Sequence, residues 1–94
     1  MLTPMPPLPD LTYVYDGTVI ASTANLNNYT TKGLYRWSSG PTNSPTAAAA
    51  AMFVLGWGGS SNIMQFVVSN GLLATRTYSG GSWTAWRGVT LPTL

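Results

Sequence analysis

The clearest pattern lies in the last third of the chain. Residues 62–69, 72–79 and 82–89 form three runs of eight, separated by Asn70-Gly71 and Gly80-Gly81. Two-residue loops of this composition favour primed turns between antiparallel strands, so the runs predict a three-stranded meander. The loops also set register. In the first hairpin they place Val68 opposite Leu73, Phe66 opposite Thr75, Gln65 opposite Arg76 and Ile63 opposite Tyr78. In the second, Tyr78 falls opposite Trp83, Arg76 opposite Ala85 and Thr75 opposite Trp86.

Period-two alternation then assigns side chains to faces. One face collects Met64, Phe66, Val68, Leu73, Thr75, Thr77, Thr84 and Trp86, the composition of half a core. The other collects Ile63, Gln65, Val67, Ala74, Arg76, Tyr78, Trp83, Ala85 and Arg87. That second face is too apolar for ordinary solvent surface. It is either an interface, where Arg and aromatic residues are enriched, or a face covered by another layer with the arginines reaching to its edge.

Upstream the pattern is shorter. Residues 11–20 (LTYVYDGTVI) read as two strands around a turn at Asp16-Gly17. Leu26 and Tyr29, three apart in NLNNYTT, suit a single helical turn capped by Asn25. Gly33 breaks that turn, Leu34 to Trp37 is a strand, and SSGPTNSPT (38–46) is a loop. The alanines 47–51 have helical propensity. They run into Met52-Phe53-Val54-Leu55-Gly56-Trp57, however, a short apolar run ended by glycines, which favours a strand entered from a small-residue loop. The first ten residues, MLTPMPPLPD, are a proline-rich extended arm. Leu2, Met5 and Leu8 recur every three residues between Pro4, Pro6, Pro7 and Pro9, as an apolar strip on a polyproline II helix would. The expected organisation is therefore an arm over 1–10 and one domain over 11–94. Its class is all-β with at most one helical turn, a small antiparallel sheet or sandwich.

Composition narrows the function. Of the 94 residues 45% are apolar but only 6% are charged, against roughly 25% charged in an average domain. Solubility rests on neutral groups: 13 Thr, 9 Ser and 6 Asn. With no Cys and no His there is no disulfide framework, no thiolate, no imidazole proton shuttle, and no ligand set for zinc or copper. No cofactor is expected. Four bases (Lys32, Arg36, Arg76, Arg87) are spread along the chain, too few for a phosphate-tracking surface, so nucleic acid is not an expected partner. The N-terminus has no basic residue and does not read as a secretory leader. The most apolar window, Ala47 to Trp57, has 11 residues, and a membrane span needs about 20.

Catalysis has few candidates. Glycan hydrolysis normally takes two carboxylates, and the chain has only Asp10, in the arm, and Asp16, in a turn. The chain reads as non-enzymatic. Binding needs less: aromatic faces stack on sugar rings, and Arg or neutral polar groups satisfy hydroxyls. The candidates of the right type are Tyr35, Trp37, Trp57, Arg76, Tyr78, Trp83 and Arg87. Trp57, between glycines at a strand end, is the least readily explained as core. Trp83 with Tyr78 also suits a cross-strand staple.

Two blocks resemble a known family. NLNNYTTKGLYRW (25–37) supplies Leu26, Asn27, Tyr29, Thr30, Thr31, Gly33 and Tyr35. TRTYSGGSWTAWRGV (75–89) supplies Arg76, Gly81, Trp83, Trp86 and Arg87. With a loop holding Asn43 and Pro45 and a strand ending in Gly56-Trp57 between them, they look like the knob domain of pyocin and bacteriophage tail fibres. The likeness covers 24–89. It implies a β-rich, non-enzymatic virion module, commonly trimeric and often engaged in host attachment, and it carries over no catalytic residue. Such knobs usually sit within long fibre chains, so a receptor-binding fibre tip and a tail or capsid decoration protein are both implied. In either case the arm would hold the knob to other virion proteins.

Overall fold

The computed structural model of the protein describes residues 16–57 and 61–94. The chain is all-β. Seven strands form one mixed sheet: β1 (Thr18–Val19), β2 (Gly33–Trp37), β3 (Ala50–Gly56), β4 (Ile63–Ser69), β5 (Leu72–Ser79), β6 (Ser82–Trp83) and β7 (Arg87–Thr90). The order is β1-β2-β3-β4-β5-β6, with β7 also on β5, and every pairing is antiparallel except β1 with β2. Among the described residues one 3-10 turn, Leu26–Asn28, occurs; it is capped by Asn25, whose side-chain oxygen accepts from the Asn27 N–H. Among the described residues no helix is long and apolar enough to cross a membrane.

The alanine run enters β3 as a strand, and β4–β5 pair in the register that Asn70-Gly71 specifies, with Gln65 opposite Arg76 and Phe66 opposite Thr75. Gly80 and Gly81 both take positive φ (63° and 90°), as a primed turn requires. At the first turn only Gly71 does (75°), and Asn70 does not, so that turn is not the primed type expected there.

Two expectations fail, and the hairpin around Asp16-Gly17 falls on residues that are only partly described. Its first strand (11–15) lies outside the described residues, as does the arm. The strand after the turn, β1, pairs in parallel with β2, Thr18 beside Tyr35, and residues 20–32 cross between them. Gly17, at φ 76°, allows this approach, because a Cβ there would sit 3.0 Å from the Tyr35 carbonyl carbon.

The first failure is the register of the last strand. Tyr78 pairs with Trp83, but Thr75 pairs with Arg87 rather than Trp86. One extra residue is accommodated between them, splitting the predicted third strand into β6 and β7. The cause is local. The Thr77 N–H donates to the Thr84 hydroxyl oxygen (3.0 Å), while the Thr84 N–H still donates to the Thr77 carbonyl (2.8 Å). A side chain thus replaces one ladder acceptor, and the backbone slips as in a β-bulge.

The second is the assignment of faces. The buried face carries Met52, Val54, Ile63, Val67 and Ala74 together with Gln65 and Arg76. Ile20, Leu26 and Trp37 complete this core, and the crossover 20–32 and the loop 38–49 lie over it. The face of Met64, Phe66, Val68 and Leu73, expected as core, is the open one. Phe53 (40% exposed), Leu55 (47%) and Val68 (37%) stand on it, and no described strand packs across it.

Candidate functional site

Around Gln65 and Arg76 the two sequence blocks meet. Gln65 is fully buried on β4. Its amide nitrogen donates to the carbonyls of Leu26 (2.7 Å) and Tyr29 (3.0 Å), and so ties the 3-10 turn down onto the sheet. Its oxygen accepts from Arg76 Nε at 2.9 Å. Arg76, 5% exposed, lies between two indoles, its guanidinium carbon 4.1 Å from the Trp83 ring centre and 4.8 Å from that of Trp86. A cation over each indole face offsets part of its desolvation, by about 0.5–2 kcal/mol per ring. Burial still pulls the guanidinium down to about 10, so it remains charged at neutral pH. Its Nη2 is buried without a hydrogen-bond partner.

The network continues outward. Trp86 Nε1 donates to the Asn43 carbonyl at 2.7 Å, and Asn43 Nδ2 donates to Asn25 Oδ1 at 2.8 Å. Asn43 takes a positive φ of 64° to make both contacts, a conformation asparagine tolerates better than most residues. Asn25 is the cap of the same turn that Gln65 holds from below. The slip after Thr84 matters here. It moves Trp86 from the open face, where regular alternation places it, to the Arg76 side, and sends Arg87 to the open face.

The expected contact residues therefore divide. Trp37 is 3% exposed and its indole donates to the Ala48 carbonyl (3.0 Å), so it is core and not a contact residue. Arg76, Trp83 and Tyr78 are committed to packing within the chain. Tyr78 and Trp83 meet across strands with ring centres 5.2 Å apart and planes tilted by 57°, the staple expected of them. Tyr35 is half-buried, edge-on to Tyr29 at 5.3 Å, and its hydroxyl donates to the Thr31 carbonyl. Burial, and to a lesser extent Tyr29, raises its pKa. Trp57, 50% exposed beyond the end of β3, and Arg87, exposed on β7, remain free to meet a partner. They are not brought together into one cleft. The arm residues Leu2, Pro4, Met5, Pro6, Pro7, Leu8 and Pro9 lie outside the described residues.

Sequence reasoning missed Gln65 as the hub. A lone glutamine between apolar neighbours carries no motif; its placement directly opposite Arg76 was the available signal.

Cavities among the described residues flank the sheet. One, of about 610 Å³, lies on the β1–β2–β3 side, with walls that include Leu34, Phe53 and Leu55. Another, of about 230 Å³, lies at the bulge among Thr75, Thr77, Thr84 and Arg87. No family model, curated protein or solved structure matches the chain.

Proposed function

We propose that the chain is a non-enzymatic surface module of a bacteriophage or phage-like particle, a structural or decoration protein that works by contacts between folded surfaces. The open apolar sheet face, with Phe53, Leu55 and Val68 exposed on it, carries this reading. Trp37, Tyr78 and Trp83, which would otherwise line a sugar cleft, are spent within the chain. Consistent with the knob resemblance, the module is homo-oligomeric, as a trimer, and its proline-rich arm anchors it to other virion proteins. Mass spectrometry and electron microscopy of purified particles test the reading: copies of the chain on the tail or capsid surface support it, and particles without it refute it. Deleting residues 2–9 leaves the fold intact and abolishes incorporation; normal incorporation moves the anchor to the folded domain.

Host attachment by glycan binding is the second reading, favoured by the exposure of Trp57 and Arg87. A glycan array probed with the purified protein separates the two. Binding that is lost in Trp57→Ala favours attachment, and no binding favours the structural role.

A further inference from the structure

Both faces of the sheet are apolar, but the described residues cover only one. Registered pairs lay the uncovered face out in rows. Leu34, Phe53 and Phe66 run side by side across β2, β3 and β4, continuing into Thr75 and Arg87 on β5 and β7. The next row holds Ala51, Val68, Leu73 and Val89, with Arg36 at its β2 end. The two arginines thus sit at opposite margins of an uncharged centre, the apolar core and polar rim that characterise protein interfaces.

We infer that this face is covered by the same face of a second copy of the chain. The pairing rests on the oligomeric reading above but is two-fold, so it closes as a dimer where the knob resemblance implies a trimer. Size argues for it. Five strands (β2, β3, β4, β5 and β7) at about 4.8 Å spacing span about 24 Å, and a strand of seven residues at about 3.3 Å per residue spans about 23 Å. The footprint is about 550 Å² in projection, and more in accessible area because side chains stand out from it. A stable interface buries about 800 Å² per partner. The face is therefore of the right order for a whole partner sheet, packed at about 10 Å as in a sandwich. A single extended segment such as residues 1–15 is one strand wide and would leave most of it wet. The absence of carboxylates on the face also removes the usual signature of a basic partner.

Sedimentation velocity on the full chain at 1–50 μM (roughly the range in which a standard-size interface holds) is expected to show an oligomer. Phe53→Lys and Leu55→Lys should each shift it to monomer, while Ala21→Lys, on the crossover over the other face, should not. If the lysine variants fail to fold, Leu55→Cys gives a milder readout in a chain that has no other cysteine. Its thiol should label at least tenfold more slowly than that of Ala21→Cys at high concentration and recover on dilution. A monomeric wild type overturns the inference, as does an oligomer indifferent to both lysines. Slow labelling that persists in a monomer would give the face to the chain's own N-terminal segment, and also overturns it. An oligomer that never enters a particle would keep the inference and remove the virion reading.

Discussion

Gln65 occupies a position where leucine would pack equally well and glutamate would pair with Arg76, yet neither would serve. Leucine supplies no donor for the Tyr29 carbonyl and no acceptor for Arg76 Nε. Each buried group so orphaned costs about 1–3 kcal/mol, so Gln65→Leu should lower stability by about 2–4 kcal/mol in a denaturant titration. Gln65→Glu keeps the acceptor but loses both donors and turns a carboxylate towards two carbonyls. It should also destabilise, and a stabilised Gln65→Glu would show that the Arg76 contact alone matters. Two titrations at this site oppose each other in alkali. Arg76 is depressed to about 10 in the fold, so above that pH the unfolded chain binds the extra proton and stability gains as pH rises. Tyr35 is raised by burial, so the unfolded chain loses its proton first and stability falls as pH rises through the ordinary tyrosine range. Denaturation followed between pH 9 and 11 should show a shallower alkaline loss in Tyr35→Phe and a steeper one in Arg76→Met than in the wild type.

Among the elements, the slip between β6 and β7 decides where two aromatic-site residues point. If the Thr84 hydroxyl sets it, Thr84→Val should cost about 1–2 kcal/mol and reduce the Trp86 fluorescence signature of its packed indole, while Thr84→Ser should behave as wild type. Gly80 offers a second test. It sits at φ 63° with nothing within 4 Å of a Cβ, so Gly80→Ala should lose about 1 kcal/mol to left-handed backbone strain alone, while Gly80→Asn, the residue a primed turn tolerates there, should lose less. These elements also show what could be read beforehand. The β4–β5 register was legible because a two-residue loop leaves no freedom in pairing, and the capped turn at Asn25 because its spacing and cap are local. The slip was not legible, since it follows from one threonine rotamer and no glycine or proline marks it. The buried face was misjudged for a more instructive reason. Counting apolar residues favoured Met64, Phe66 and Val68, whereas Gln65 and Arg76 go inside because they satisfy each other and the turn above them.

At the scale of the whole molecule, the low charge has a consequence for how it associates. Charged groups are 6% of the chain, and among the described residues Asp16 is the one carboxylate side chain. Association through the open face then draws on apolar burial, which is insensitive to simple screening; salt weakens contacts between exposed charges, whose interaction falls off over about 8–10 Å at physiological strength. Four cations per chain add a small mutual repulsion, which salt relieves. The dissociation constant measured by sedimentation should therefore stay within about twofold, or tighten slightly, when sodium chloride rises from 50 to 500 mM. Sodium sulfate, which is excluded from protein surfaces and strengthens burial, should tighten it clearly. Calorimetry should show the negative heat-capacity change of apolar burial. Weakening of the oligomer by sodium chloride would mean that ion pairs, not the Phe53–Phe66 face, hold the copies together. The search for the contact would then move to Arg36, Arg87 and the acids of the N-terminal region.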